Sequence, residues 1–172
     1  IADTTKEQLS NMMVGRDVKF EVDKTPANPG EVVLDVRNLS VKSQIHKKDA
    51  VHNVSFTVRC GEIVCIAGID GNGQSELIYA LSGLMPVEHG EIYLSGEDIT
   101  HASIRHRNTH GLSHIPEDRH KHGLVLDYSL EQNLVLQRYF EPEFQKNGFI
   151  RCDKMRAYAE KLIDRFDVRS GP

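Results

Sequence analysis

Residues 65–83 read CIAGIDGNGQSELIYALSG, and this stretch decides the fold class that the sequence predicts. An apolar run leads into a loop with three glycines, and an amphipathic helix is predicted after the loop. From Gly68 to Ser75 the residues match the phosphate-loop pattern G-x-x-x-x-G-K-[ST] at every fixed position except one, where Gln74 replaces the lysine. Glycines allow successive backbone N–H groups to turn inward, and a helix N-terminus adds partial positive charge. The stretch therefore predicts a phosphate-binding loop, with a glycine turn that binds no ligand as the alternative.

The Gln74 side chain can donate a hydrogen bond to phosphate, but it carries no charge. A charge-assisted hydrogen bond contributes about 1.5–3 kcal/mol and a neutral one about 0.5–1.5 kcal/mol. The loss is on the order of 1–2 kcal/mol, which corresponds to roughly 5- to 30-fold in affinity. Asp70 places a carboxylate in the same loop, where it opposes the charge of a phosphate. We therefore expect weakened phosphate binding, with the Ser75 hydroxyl as the ligand for Mg²⁺.

The composition is that of a globular domain, with 172 residues, 39% hydrophobic and 27% charged. The 21 basic and 25 acidic residues form no long run of one sign, which argues against nucleic acid as a partner. No apolar run approaches the roughly 20 residues that span a bilayer, so we expect any membrane role to be peripheral. Cys60, Cys65 and Cys152 lack a C-x-x-C spacing, so we expect reduced thiols in a cytoplasmic protein, the first two of them buried.

Hydrophobic periodicity and turn signals place the remaining elements. The predicted helices are residues 3–14, the segment after the glycine loop, 103–109, 129–136 and 153–166. The predicted strands are residues 31–41, 50–58, 63–68, 90–100 with a Ser-Gly turn, and 111–119. The strand at 63–68 is apolar throughout, which is typical of a strand buried on both faces of a parallel sheet. Prolines in residues 23–31 indicate a linker, and we place a domain boundary near Pro29 and Gly30.

Six histidines between His101 and His122 raise the question of a metal site. His106 and His110 are four residues apart and share one helix face. A strand predicted after them separates His114 from the pair, and no cysteine joins them. We therefore interpret the region as a solvated turn, with zinc binding as the less favoured alternative.

Three motifs in order carry a family resemblance: GEIVCIAGIDGNGQSEL at 61–77, LSGLMPVEHGEIYLSGEDI at 81–99 and IPEDRHKHGL at 115–124. The sequence resembles an ABC transporter nucleotide-binding domain, and more narrowly the second of two such domains in the fused ATPase subunit of simple-sugar and nucleoside importers. NMMVGRDV at 11–18 resembles the tail of the preceding domain. Residues 1–29 are thus expected to be that tail and a linker, and residues 30–172 the N-terminal part of a second domain.

The resemblance implies an α/β fold: a partial P-loop NTPase domain of the ABC type, with an antiparallel β-subdomain and the start of a helical subdomain. It also implies ATP and Mg²⁺ as cofactors. The implied binding residues are Gly68, Asp70, Gly71, Asn72, Gly73, Gln74, Ser75 and Glu76, with Ser75 on the metal. Glu117 lies where other ABC domains place a loop glutamine that meets Mg²⁺ and the attacking water, which makes it the candidate catalytic residue.

Several positions depart from the family pattern. The family's S-x-x-E-N becomes Ser129, Gln132 and Asn133, which removes a carboxylate. The strand before residues 50–58 lacks the aromatic residue that in the family usually stacks on adenine, so Val41, Ala50 and Val51 are expected as weaker substitutes. The family's signature sequence, catalytic Glu and switch His do not follow, so we expect a fragment that is inactive as an ATPase by itself.

Two functions are predicted. In the first, the protein is the ATP-binding component of an importer for nucleosides or simple sugars, peripheral on the cytoplasmic side of the membrane. Its partners are then transmembrane permease subunits, another nucleotide-binding domain and, indirectly, a solute-binding protein. In the second, it is a non-hydrolysing half that completes the ATPase dimer and docks on the membrane subunit. Gln74 and Asp70 favour the second function, whereas Ser75 and the glycines favour the first.

Overall fold

The computed structural model describes residues 4–15, 17, 24–43 and 48–169. Sequence predictions for the remaining positions, including part of the tail motif at 11–18, lie outside the described residues. Residues 24–30, from the predicted linker, form neither helix nor strand. The domain boundary itself stays a prediction.

The first helix, α1, is Lys6–Val14, which confirms the helix predicted at the start of the chain. Thr5 begins it with a capping box: Thr5 Oγ1 accepts from the Gln8 N–H at 3.3 Å, and Gln8 Oε1 accepts from the Thr5 N–H at 3.1 Å. These bonds satisfy two backbone donors that a helix leaves without intrahelical partners. None of the nine residues is buried, so the cap rather than packing holds this helix.

A four-stranded antiparallel sheet follows, with the strand order β2-β1-β3-β4. Its strands are β1 Val32–Lys42, β2 Asp49–Arg59, β3 His89–Leu94 and β4 Glu97–Asp98. Val36 of β1 lies opposite Phe56 on one side and Ile92 on the other. Every second residue from Val54 to Val58 is half-buried, which confirms the predicted alternation in β2. The sheet thus keeps one face toward the core.

A two-residue turn joins β3 to β4 and fixes the position of Glu97. Ser95 and Gly96 have φ of 50° and 83°, and positive φ at both central positions is typical of a type I′ hairpin turn. This confirms the predicted Ser-Gly turn. Because the turn sets the register, Glu97 lies opposite Leu94 at the beginning of β4.

Helix α2, Gln74–Ser82, packs on the sheet through Leu77, Ala80 and Leu81. The fully buried sheet residues beneath it include Leu39 and Ile92. Each buried side chain of this size contributes about 1.5–3 kcal/mol. Gly83 ends α2 in the left-handed conformation with φ of 82°, as predicted. The helix that begins at the glycine loop is therefore anchored to the antiparallel sheet.

Helix α3, Ile104–Thr109, begins at Ser103, whose side chain accepts from the His106 N–H at 3.2 Å. It confirms the short helix predicted from SIRHRNT. Arg107 of α3 is 2% exposed and extends toward the C-terminal end of α2, where it donates to backbone carbonyls. This buried arginine was not predicted from the sequence.

The second core lies in the last third of the described chain, between α4, Leu130–Val135, and α5, Cys152–Phe166. Its buried residues are Val135, Phe144 and Met155, with Tyr158 packed against them. Both helices confirm the predictions, and α5 contributes Met155 to this core, whereas Phe166 at its end is 64% exposed. A hairpin that was not predicted, β5 Gln145–Lys146 and β6 Phe149–Ile150, closes this unit.

The strand predicted at residues 63–68 is wrong: residues 62–69 have no regular structure and are exposed, with Ile63 97% exposed. The strand predicted at 111–119 is also wrong, and Ile115 is 93% exposed. A strand buried on both faces requires hydrogen-bonded neighbours and helices over it. In the part of the chain that the structure describes, no strand pairs with either segment. The described sheet is therefore antiparallel only.

The prediction of buried cysteines is wrong for the same reason. Cys65 lies within the exposed segment 62–69 and Cys60 lies just before it, and both are exposed. Cys152, at the start of α5, is also exposed. All three are free thiols.

Among the described helices, none combines the length and the apolar character required to cross a bilayer.

Candidate functional site

The glycine loop, residues 68–73, runs directly into α2. Gly71 and Gly73 have φ of 83° and 94°, the left-handed region that favours glycine. Gly73 is the N-cap of α2, and within the described chain no side chain accepts a hydrogen bond there. The first-turn N–H groups of a helix without such a cap are donors for an anion, and the helix dipole adds to the attraction. The geometry of the loop is that of an anion-binding turn.

Gly73 also attaches the loop to the sheet. Its Cα lies so close to the Ala50 carbonyl of β2 that a Cβ at this position would clash with the backbone oxygen. Val51, the next residue of β2, lies against the same position. The start of α2 is therefore held against β2 through backbone contact that tolerates only glycine.

Gln74 folds back over the loop instead of extending from it. Its Nε2 donates to the Ile69 carbonyl at 3.2 Å, and the Asn72 N–H donates to the same oxygen at 3.2 Å. The Gln74 amide occupies the space next to Gly68 where a Cβ would otherwise lie. Gly68 thus makes room for the Gln74 side chain, and the loop is closed by two hydrogen bonds on one carbonyl.

Two open clefts border the loop. The first, of about 620 Å³, is lined by Lys48, Asp49, Gly71, Asn72 and Glu76, among others. The second, of about 320 Å³, lies between β2 and the loop and is lined by Gly68, Asn72, Gly73 and Gln74, among others. The structure therefore brings six of the eight predicted binding residues to the two clefts. Asp70 and Ser75, the other two, are exposed next to them.

Lys48 was missed by sequence reasoning. It lines the first cleft beside the carboxylates of Asp49 and Glu76. Its carbonyl accepts from the Ser43 N–H at 3.0 Å, which holds together the two ends of the connection between β1 and β2. Lys48 lies 26 positions before Gln74 along the chain, so no spacing within the phosphate-loop motif indicates it. Among the described residues, the cleft thus contains one cation, Lys48, whereas the glycine loop has none.

The expected adenine-stacking residues are not all available. Val41 is fully buried in the core and cannot contact a ligand, which corrects the prediction. Val51 is 5% exposed and belongs to the same core, but it also lines the second cleft. Ala50 lines both clefts. A small aliphatic surface is thus what β2 offers beside the loop.

Glu117 is exposed and lines neither cleft. Among the contacts of the described chain, none joins it to the glycine loop. The adjacent Asp118 has a structural role, because its Oδ1 accepts from the His120 and Lys121 N–H groups at 3.0 Å and begins a π-helical turn, Arg119–Gly123. The hydrogen bond from the Lys121 N–H, and to a lesser degree that from the His120 N–H, lowers the pKa of Asp118.

The S-x-x-Q-N segment is also structural. Ser129 and Gln132 form a capping box at the start of α4, with hydrogen bonds of 3.3 and 2.8 Å. Asn133 Nδ2 donates to the carbonyls of Val125, Tyr128 and Ser129, and its Oδ1 accepts from the Val125 N–H at 2.9 Å. These polar side chains therefore order the loop before α4.

The part of the chain that contains the glycine loop matches a known protein family. The family model described as ABC transporter matches residues 51–170, which is most of the chain. The chain belongs to the ABC transporter family. The match includes the glycine loop, α2 and every element after it, so the phosphate-loop interpretation and the predicted family agree.

Curated relatives in the ABC transporter family match the chain over nearly its whole length. The nucleoside import ATP-binding protein NupA of Lactococcus lactis is 42% identical over 169 residues, which cover 98% of this chain and 33% of the relative. The guanosine import ATP-binding protein NupO of Bacillus subtilis is 42% identical, with coverage of 99% and 33%. The glucose import ATP-binding protein TsgD13 of Haloferax volcanii is 41% identical, with coverage of 98% and 30%. The chain spans about a third of the length of these relatives.

Two solved ABC structures share the fold. A nucleotide-free ATP-binding cassette from an ABC transporter aligns with a TM-score of 0.56 and 18% identity, covering 79% of this chain and 53% of that one. A bacterial Atm1-family ABC exporter with ATP bound aligns with a TM-score of 0.52 and 21% identity, covering 95% and 27%. At these identities the likeness concerns the fold, and it confirms the predicted α/β class of an ABC-type domain.

Proposed function

We propose that the chain provides the phosphate-binding part of a Mg–ATP site in an ABC importer for nucleosides or simple sugars. The observation that carries the proposal is the Gly71–Gly73 turn, which leaves the first turn of α2 without a side-chain cap and open to an anion. Ser75, in that first turn, supplies the hydroxyl for Mg²⁺. The names of the relatives, which include nucleoside and guanosine import, support the class of solute.

The affinity of this site is low because of Gln74. One N–H of its amide is engaged with the Ile69 carbonyl, which leaves only the other N–H to donate to a phosphate. It brings no charge to the phosphates, whereas Lys48 brings one positive charge to the first cleft. The negative charges of Glu76 and Asp70 repel the phosphates and offset that positive charge. The balance supports weak Mg–ATP binding rather than a different ligand.

The narrower assignment follows the sequence motifs. We propose that the chain belongs to the second of two nucleotide-binding domains in a fused subunit, peripheral on the cytoplasmic side of the membrane. Helices α4 and α5 then belong to the helical subdomain that meets a permease subunit. Their packed core makes them a stable unit for such a contact. The solute-binding protein acts on the other side of the permease and contacts this chain only indirectly.

A second candidate function is favoured by the same Gln74 contact. Gln74 bonds to the Ile69 carbonyl within the loop, and the loop lacks the lysine. Both features suit a nucleotide-binding domain that completes an ATPase dimer without hydrolysing ATP. The two functions differ in whether the loop binds Mg–ATP at all. A titration of the loop variants therefore distinguishes them.

We expect Gln74→Lys to tighten Mg–ATP binding by roughly 5- to 30-fold, because it replaces a neutral donor by a charged one worth about 1–2 kcal/mol more. Asp70→Asn should add a smaller gain that decreases as salt is raised, because the carboxylate is exposed and screened. Calorimetry on the parent, both single variants and the double variant measures the two gains and their coupling.

Gln137→Lys is the matched control, since it adds the same charge at an exposed position outside both clefts. Its Mg–ATP affinity should equal that of the parent. If Gln74→Lys leaves the affinity unchanged or lowers it, the loop is not a weakened ATP site, and the non-hydrolysing half becomes the better assignment.

Docking of α4 and α5 is tested in the intact transporter with the native thiols. Cys152 lies exposed at the start of α5, and Cys60 lies exposed at the end of β2. A thiol-attached photo-cross-linker at Cys152, with Cys60 and Cys65 replaced by Ser, should trap a permease subunit. The same probe at Cys60, with Cys65 and Cys152 replaced by Ser, should not. Cross-linking from Cys60 alone would show that the sheet, not the helical unit, faces the membrane partner.

A further inference from the structure

Three side chains with metal-binding chemistry converge outside the phosphate loop, on the surface shared by β4 and α3. Glu97 Oε1 lies 2.7 Å from His106 Nε2, and Glu97 Oε2 lies 3.8 Å from His110 Nε2. The ligand atoms all lie within 4.8 Å of one another. Two imidazoles and a carboxylate, from β4 and the C-terminal end of α3, thus bring their ligand atoms close together.

The backbone around the cluster fixes the direction of each side chain. His106 and His110 are one helical turn apart, and their rings stack with centroids 3.9 Å apart at 20°. His110 Nδ1 lies 2.7 Å from the His106 carbonyl, a bond that places the ring proton on Nδ1 and leaves Nε2 with its lone pair toward Glu97. Such a hydrogen bond from the second ring nitrogen is what orients histidine ligands at metal sites.

Asp98, the carboxylate next to Glu97 in the chain, is hydrogen-bonded to Thr100 and does not join the cluster. Asp98 Oδ1 accepts from the Thr100 N–H at 2.9 Å and from the Thr100 hydroxyl at 2.6 Å. Glu97, by contrast, directs both oxygens at the two imidazoles, because the Ser95–Gly96 turn sets it at the beginning of β4. The cluster therefore contains one carboxylate and two imidazoles as ligands.

We propose that Glu97, His106 and His110 form a binding site for a first-row divalent metal ion, with Zn²⁺ as the test case. Zinc binds imidazole nitrogen and carboxylate oxygen at about 2.0–2.2 Å, so neighbouring ligand atoms in a tetrahedral site stand about 3.3 Å apart. The 2.7 and 3.8 Å separations lie on either side of that value. Three protein ligands at partly exposed positions leave a fourth position to water.

Metal binding exchanges the proton between Glu97 and His106 for the ion. In a neutral His106 that proton moves from Nε2 to Nδ1, which frees Nε2 for the metal, whereas a charged His106 keeps its Nδ1 proton and releases the Nε2 proton to solvent. The bound ion joins β4 to α3 and so links the sheet to the helix that carries Arg107. This site does not depend on nucleotide binding at the glycine loop.

The test is a Zn²⁺ titration of the full chain by calorimetry, with the three exposed cysteines replaced by Ser to remove thiolate binding. Glu97→Gln, His106→Gln and His110→Gln should each weaken Zn²⁺ binding at least roughly tenfold, since even the loss of an outer hydrogen-bond partner weakens metal affinity about 10- to 100-fold. His101→Gln and Glu143→Gln, exposed and outside the cluster, are the matched controls and should leave the affinity unchanged.

Imidazole ¹⁵N chemical shifts of the parent provide a measurement that needs no variant at the site. Zn²⁺ should shift Nε2 of His106 and His110 first, before the resonances of the other seven histidines. The proposal is overturned if the three cluster variants bind Zn²⁺ as the parent does, or if the first shifts belong to other histidines. Loss of binding in the control variants to the same degree would equally contradict it.

Discussion

Replacement of Arg107 by Met should lower the free energy of unfolding by roughly 3–5 kcal/mol. The lost hydrogen bonds from a charged donor contribute about 1.5–3 kcal/mol each, and the several kcal/mol that it costs to bury the guanidinium offset a large part of their sum. Arg107 is 2% exposed. Its guanidinium donates to four backbone carbonyls at 2.9–3.4 Å, those of Ala80, Leu81, Thr100 and Ala102. Methionine fills the volume but donates nothing, so the Leu81 carbonyl at the C-terminal end of α2 loses this donor, while the Ala80 carbonyl keeps the Gly83 N–H at 3.1 Å.

The charge itself also favours this position. The C-terminal end of a helix carries partial negative charge, and Arg107 places its cation there. Burial lowers the pKa of Arg107, but a guanidinium keeps its proton at neutral pH. Arg107→Lys should therefore recover only part of the stability, since one ammonium group cannot reach the same set of carbonyls.

Arg105→Met is the matched control in the same helix. Arg105 is exposed, donates to Tyr139 Oη at 3.0 Å and lies over the Phe140 ring at 4.4 Å. Exposed contacts of this kind contribute about 0.5–1 kcal/mol, so its loss should be small. Urea denaturation followed by circular dichroism compares the variants. Equal midpoints for Arg107→Met and Arg105→Met would show that the buried guanidinium is not what stabilises the end of α2.

The second large effect is expected at the start of the same helix. Gly73→Ala should lower the free energy of unfolding by roughly 2–5 kcal/mol, the sum of a left-handed penalty of about 1–2 kcal/mol and an overpacking cost of about 1–3 kcal/mol. The added Cβ meets the Ala50 carbonyl, and its carbon lies at 3.0 Å. Since the obstacle is backbone in β2, no side-chain rotation relieves it.

Gly71→Ala separates the two contributions. Gly71 has a similar φ of 83°, but no heavy atom of the described residues, its two chain neighbours apart, lies within 4 Å of a Cβ built there. It should therefore cost only the left-handed penalty of about 1–2 kcal/mol. Hydrogen exchange of the Leu77 amide, which donates to the Gly73 carbonyl at 2.9 Å, reports the junction directly. If both variants lose the same stability, the contact with Ala50 contributes nothing.

Local patterns predicted those elements whose partners are near in sequence. The alternation in β2, the Ser95–Gly96 turn and the Gly83 cap of α2 are each set by a few adjacent residues, and the structure confirms them. The β5–β6 hairpin belongs to the same class. Its Asn147-Gly148 pair, with φ of 52° and 85°, is a hairpin signal that was present in the sequence and was not used.

Features that depend on distant residues were not predicted. The apolar run at 63–68 has the composition of a buried strand, but whether it becomes one depends on neighbouring strands that local sequence does not specify. Lys48 and the loop, or Glu97 and His106, are brought together by strand pairing and a helix start rather than by spacing. Motif patterns indicated the glycine loop, and only the fold showed the charges around it.

The central position of β1 has a consequence for the order of folding. β1 and β2 are joined by residues 43–48, whereas β1 and β3 enclose residues 43–88, which contain β2, the glycine loop and α2. Closing the longer segment costs more chain entropy, and such non-local pairing forms later. The β1–β2 hairpin should therefore form first, so that Ala50 is in position before Gly73 packs against its carbonyl. On this order the glycine loop takes up its final position only after the strand on which it packs has formed.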